Sequence, residues 1–169
     1  MTTATETKTV QVHRIYIKAT PAAIWDAITK PEWTQKYGYQ GIAEFDLRPG
    51  GKYRAIAPAD MQAMGMPEVV VDGEVIEADP PRKLVHTWRF LWDEEIAAEG
   101  PTQVTFDIEE DDGGYTRLTV THELENAPRT VAQLAGSDAR LYEGGGGWAW
   151  VLSDLKTLLE TGGAPETGA

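Results

Sequence analysis

Cysteine is missing from all 169 residues, which excludes a disulfide framework, a thiolate nucleophile and any Cys-ligated metal. Basic residues are scarce: 15 Lys and Arg stand against 27 Asp and Glu, a formal net charge of -12. A nucleic-acid binder needs a basic footprint that releases counterions from phosphates, so that class is excluded, and an anionic membrane surface is disfavoured for the same reason. Long apolar runs are missing as well. Residues 1–8 carry no hydrophobic stretch, so neither a signal peptide nor a membrane span is expected and the reading is a cytoplasmic protein. The chain also lacks an internal repeat and a long linker.

What is present fits one domain of ordinary size, long enough to bury close to ~70% of its unfolded surface. Residues 1–8 are Thr-rich and 162–169 are rich in Gly and Pro, which predicts two frayed tails around a single domain over 9–161. Period-two patterning predicts a first strand from Val10 to Lys18, with His13, Ile15 and Ile17 on one face. Thr20-Pro21 predicts a capped helix carrying Ile24, Trp25 and Ile28, and Pro31 begins a second short one. Strands are predicted over Ile42 to Leu47 and Lys52 to Ala57, joined by Arg48-Pro49-Gly50-Gly51, then over Glu68 to Ala78. Lys83 to Phe90 alternates with Leu84, His86, Trp88 and Phe90 on one face. Gln103 to Glu109 turns Val104, Phe106 and Ile108 the same way, and Tyr115 to Leu124 adds Leu118, Val120, His122 and Leu124.

An antiparallel sheet apolar on one face needs a cover. Trp148, Leu152, Leu155 and Leu159, widened by Val151 and Leu158, predict a helical stripe that supplies it, ended after Glu160 by Gly162. The expected class is α+β, with seven antiparallel strands wrapped around a long C-terminal helix and two short helices after the first strand.

Four segments also resemble a known family. The run from Thr20-Pro21-Ala22-Ala23-Ile24-Trp25 to Glu32 is similar to the opening of START-like, Bet v 1-type helix-grip (SRPBCC) domains. Asp46 to Tyr53, Asp79 to Trp88, and Gly147-Trp148 with Leu152, Leu155 and Leu159 resemble the bacterial branch related to the C-terminal domain of the Hsp90 ATPase activator. The resemblance spans about residues 10–161. It implies a pocket between sheet and closing helix but no single chemistry, since members bind lipids, hormones or polyketides and a few act on them.

Residues expected at such a pocket are Tyr53, Met64, Val75, Glu77, His86, Trp88, Phe106, His122, Trp148 and Leu152. His13, His86 and His122 all fall on inward faces, and histidine serves as acid, base or ligand near neutral pH. His86 and His122 lie two strands apart, about 10 Å by strand spacing, which is long for a shared metal. Hydrogen-bonded, half-buried histidines are the preferred reading, because no compact His/Asp/Glu cluster supports a metal. Of the carboxylates Asp26, Asp46, Glu77, Asp107 and Glu123, Glu77 shares Val75's parity and is the inward candidate, though a solvated strand end is the preferred reading for it.

Gly144 to Gly147 offers free N–H groups at a helix start, yet Trp148 and Ala149 stand where a phosphate loop carries Lys and Ser/Thr, so a hinge is preferred. Met61, Met64 and Met66 form either a pliable lid or an ordinary loop. Segment 91–100, with Leu91, Trp92 and Ile96, covers the same entrance or serves a partner surface. Trp25 and Trp148 suit the core, while Trp88 and Trp150 suit a cavity wall.

The functional expectation is a binding module for a small apolar or aromatic molecule, without metal, cofactor or assigned catalytic residue, as a monomer or homodimer. Its alternatives are a cyclase- or hydrolase-type enzyme using His86 or His122 as general acid/base, and a stress-related, chaperone-interacting regulator.

Overall fold

In the computed structural model, which describes residues 9–134 and 146–162, the period-two segments pair into one antiparallel sheet of seven strands. The strands are β1 (Val10–Ile17), β2 (Ile42–Phe45), β3 (Lys52–Ile56), β4 (Val69–Asp79), β5 (Lys83–Phe90), β6 (Thr102–Glu110) and β7 (Thr116–Glu123). Their order in the sheet is β1-β7-β6-β5-β4-β3-β2, so the chain meanders from β2 to β7 and β1 closes on β7. Between β1 and β2 run α1 (Pro21–Thr29) and α2 (Pro31–Thr34); α3 (Ala59–Ala63), α4 (Glu94–Ala97) and α5 (Pro128–Leu134) follow β3, β5 and β7, and α6 (Gly147–Thr161) comes last.

Strand parity turns out as the alternation predicts. Leu84, His86, Trp88 and Phe90 of β5, Val104, Phe106 and Ile108 of β6, and Leu118, Val120 and His122 of β7 are all buried. The α+β architecture, the two short helices after β1 and the long final helix are likewise as expected. Sequence reading missed α3, α4 and α5. Gly162 ends α6, as its place after Glu160 predicts, at φ 79°, with its N–H donating to the Leu158 carbonyl at 2.9 Å. That left-handed conformation carries little penalty without a Cβ. No helix among the described residues is long and apolar enough to cross a membrane.

The starts of the helices explain their places. Thr20 Oγ1 accepts from the Ala23 N–H at 3.2 Å and Pro21 sits at the first helical position, the arrangement that satisfies one orphan donor and needs no other. The α1 face of Ile24, Ala27 and Ile28 is buried, and the Tyr37 hydroxyl donates to the Ala27 carbonyl at 2.8 Å. In α6, Leu152, Leu155 and Leu158 are buried, each side chain contributing roughly 1.5–3 kcal/mol. Polar ties fix the same helix along its length. Lys156 Nζ donates to the Tyr16 carbonyl at 2.8 Å, Glu160 Oε2 accepts from the Lys18 N–H at 2.8 Å, and Asp154 Oδ2 accepts from the Gly38 N–H at 2.8 Å.

One irregularity matters for the site. The β4–β5 register shifts between Val75 and Glu77, and a shift of one residue moves a side chain to the other face. Val75 is therefore fully buried while Glu77 is exposed and pairs with Lys83 Nζ at 3.7 Å. The inward placement expected for Glu77 is corrected: it is a solvated strand residue.

Candidate functional site

The inward faces of β3, β5 and β6 meet α6 through rings rather than through close backbone contact. Tyr53 stacks on Phe45 with centroids 4.5 Å apart, and its ring lies 4.4 Å from that of His86. Phe106 stacks on His86 at 5.9 Å, and Trp148 closes edge-on against Phe106 at 6.0 Å. Such large, flat groups do not fill the volume under a helix, and a cavity of about 190 Å³ remains, walled by Phe45, Tyr53, His86, Trp88, Phe106, Trp148, Leu152 and Leu155 among others. A second cavity of about 410 Å³ lies beside it, lined by Met61, Met66, Val70, Phe90, Trp92 and Leu134. Tyr39, Gly41, Ala55, Trp88, Trp148 and Val151 line both, so these residues form the common wall.

Of the residues expected at the pocket, Tyr53, His86, Trp88, Phe106, Trp148 and Leu152 line the smaller cavity. The others do not. Met64 is 85% exposed, Val75 is packed solid in the core, and Glu77 is exposed to solvent. His122 lies one layer behind the wall. Trp150 lines neither cavity and lies over Gly146, whereas Trp148, expected both in the core and at the pocket, joins the wall. The methionine loop divides in the same way: Met61 and Met66 face the larger cavity and Met64 does not. Trp92, from segment 91–100, also lines the larger cavity, and Ile96 is buried.

Sequence reading missed two contributors. The first is α5, whose Gln133 and Leu134 line the larger cavity. Its start is held by Glu99, whose carboxylate accepts from the Arg129 and Thr130 N–H groups and the Thr130 hydroxyl. Pro128 at the first turn and the spacing of Ala127, Val131 and Leu134 were the available signal. The second is Tyr39, whose phenol oxygen accepts from the N–H groups of Gly146 and Gly147, each at 3.2 Å. The start of α6 is thus met by a side chain of the protein itself. Gly144 and Gly145 lie outside the described residues.

The two inward histidines share a row of the sheet, since His86 faces Val104 and Val104 faces His122. Their chemistry is nevertheless different. His122 is fully buried and both nitrogens are engaged. The Trp148 indole N–H donates to Nδ1 at 3.1 Å, so Nδ1 carries the lone pair and Nε2 carries the proton. Nε2–H then donates to Thr102 Oγ1 at 2.7 Å, and that hydroxyl donates to the Trp88 carbonyl at 2.8 Å. The chain of donors closes with no group unsatisfied. Burial, helped by His86 and His13 nearby, pushes the His122 pKa down to about 3, because no counter-charge offsets the desolvation.

His86 has one engaged nitrogen. Nδ1 lies 2.7 Å from the Thr87 carbonyl, which only accepts, so Nδ1 is the protonated nitrogen and Nε2 the acceptor. Burial lowers this pKa to about 4, against a small opposing pull from the Thr87 carbonyl. The Tyr53 phenol is raised to about 12 by burial, partly offset by the Trp88 indole beside it. A general base works best with a pKa near the operating pH, and neither histidine meets that condition at neutral pH. No group of three or more His, Cys, Asp or Glu able to hold a metal occurs among the described residues.

His122 therefore acts as a strut between β7 and the first turn of α6. Replacing it with Leu keeps much of the volume but leaves the Trp148 indole N–H unpaired, and an unmet buried donor costs about 1–3 kcal/mol. Urea unfolding at pH 7.5 is expected to show a loss of roughly 2–3 kcal/mol for His122→Leu; a change below about 0.5 kcal/mol is what an unimportant contact predicts.

Residues 18–160 match the model of a family described as activator of Hsp90 ATPase homolog 1-like protein. Curated proteins give no match. Among solved structures, an uncharacterised protein from Rhizobium leguminosarum is similar at 22% identity and a TM-score of 0.63, with 93% of this chain and 97% of that one covered. An HSP90 activator from Plasmodium falciparum is 22% identical at a TM-score of 0.60, covering 89% and 95%. The Aha1 dimer from Colwellia psychrerythraea, solved in solution, is 19% identical at 0.60, covering 91% and 98%. At these identities the likeness is one of fold.

Proposed function

The chain belongs to the activator of Hsp90 ATPase homolog 1-like family, and from that premise we propose that it binds a small hydrophobic or aromatic molecule between its sheet and α6. The observation that carries this reading is the pair of adjoining cavities, about 190 and 410 Å³, walled by rings and aliphatic side chains with few polar groups. Ligand pockets typically measure about 300–1,000 Å³ and have this lining. Close packing normally leaves few voids of such size, so the space needs an occupant or a reason. The general acid/base alternative is weakened by the engaged nitrogens of His122 and the low basicity of His86.

The test is a screen of small apolar compounds by thermal shift and native mass spectrometry, repeated on Ala55→Leu. Ala55 lines both cavities, so the added carbons enter empty space and the variant is expected to keep its stability within about 1.5 kcal/mol. Compounds that stabilise the native chain are expected to lose about tenfold or more in affinity for it. A screen without hits, or hits indifferent to Ala55→Leu, contradicts the reading.

A second reading, a chaperone-directed role, is favoured by the family description and by the P. falciparum relative. ATP turnover by an Hsp90-type chaperone, measured with and without this chain, separates the two: the cavity reading expects no change.

A further inference from the structure

The polar content of the smaller cavity narrows what it can hold, given that the cavity binds a small molecule as proposed above. A single benzene-sized ring is the scale to consider, since an engineered apolar cavity of ~150 Å³ in another protein takes benzene and this one offers about 190 Å³. Among the described residues, one histidine nitrogen on its wall receives no hydrogen bond. His86 is 2% exposed and lines the cavity. With Nδ1–H committed to the Thr87 carbonyl, Nε2 presents a lone pair, and no group among the described residues donates to it. The rings of Tyr53, Phe45 and Phe106, at centroid distances of 4.4, 5.3 and 5.9 Å, leave His86 little freedom to turn that lone pair elsewhere.

An acceptor on a cavity wall can take a ligand's donor, and sites built to hydrogen-bond a substrate discriminate strongly against analogues that lack the group. We propose that the smaller cavity is a site for a neutral monocyclic phenol, or an aromatic of like shape with one N–H or O–H donor, which donates to His86 Nε2 while its ring packs among Tyr53, Phe106 and Trp148. An aromatic carboxylate is rejected. It brings a second set of lone pairs to Nε2, and it enters a chain of net charge -12.

The experiment uses three para-substituted probes of similar shape: p-cresol, p-xylene and 4-methylbenzoate, with binding followed by NMR titration of the full chain. For the native chain, p-cresol is expected to bind and 4-methylbenzoate not to. His86→Phe removes the acceptor and keeps a ring. The p-cresol to p-xylene affinity ratio is expected to fall about tenfold or more in this variant, with p-xylene itself within about twofold of its native value. A measurement on the native chain covers the case in which His86→Phe does not fold: the His86 Nε2 resonance is expected to move towards the hydrogen-bonded range with p-cresol and to stay with p-xylene. An unchanged ratio, an unmoved Nε2 resonance or tight 4-methylbenzoate binding overturns the phenol assignment while leaving an apolar cavity intact. Failure of both p-cresol and p-xylene to bind overturns the cavity reading itself.

Discussion

Lowering the pH from 6.5 to 5 is expected to destabilise the protein steeply, before any carboxylate at its ordinary value titrates. His86 and His122 stay neutral in the fold, with pKa values lowered to about 4 and about 3, chiefly by burial. In the unfolded chain both titrate near 6.5. The unfolded state therefore takes up protons that the folded state refuses. The stability is fully present above pH 6.5, is lost as the pH falls below it, and stops falling only when the folded rings accept protons near 4 and 3. One such proton changes stability by about 1.4 kcal/mol per pH unit, so two give at most about 2.7. His13, also lowered by partial burial, adds in the same direction. The two buried rings amount to about 6 kcal/mol by pH 4, enough to bring a protein at the lower end of the typical range of about 5–15 kcal/mol to its midpoint there. Urea titrations at several pH values measure it. A stability flat between pH 7.5 and 5, or His resonances that titrate near 6.5 in the folded protein, contradict the burial account.

Gly73→Ala is expected to be the most damaging single methyl group in the sheet. A Cβ at Gly73 falls 1.8 Å from the Thr87 carbonyl oxygen and 2.6 Å from its carbon, distances at which backbone has to move. That carbonyl is the one His86 Nδ1–H bonds, and the Thr87 hydroxyl accepts from the Glu74 N–H at 2.9 Å. The bare glycine on β4 therefore lets β5 come close enough to fix the His86 tautomer. The expected cost is about 3 kcal/mol or more, a fall in Tm of about 6–12 °C. Gly41→Ala is the control, because its Cβ meets nothing nearer than the Ile56 carbonyl at 3.9 Å. Equal melting of the two variants contradicts the close-approach argument.

Much of this fold was legible because β5, β6 and β7 each alternate over most of their length, and because α6 carries an unbroken apolar stripe. Glu77 shows where alternation fails. An irregular register at Ile76 leaves no mark in hydrophobicity, yet it reverses the parity of the residues beyond it. The short helices α3 and α4 were hidden for another reason: four or five residues span barely one turn, too few to show a period.

The site was half legible. Period two was enough to put His86, Trp88 and Phe106 on one face. It does not reveal that Trp148 reaches His122 across 26 residues, nor that Tyr39 meets the first N–H groups of α6, because those contacts are made between elements. The difference between a histidine with one nitrogen engaged and one with both thus lay outside the pattern, although both occupy one row of the sheet.

The central claim, that the space between sheet and α6 takes a small aromatic molecule, is tested most directly by the tryptophan indole N–H resonances during titration with p-cresol. Trp88 and Trp148 line the cavities, and Trp25 and Trp33 do not. The account predicts saturable shifts of the Trp88 and Trp148 indole resonances, with those of Trp25 and Trp33 unmoved. Resonances of Trp88 and Trp148 that stay fixed throughout the titration contradict it.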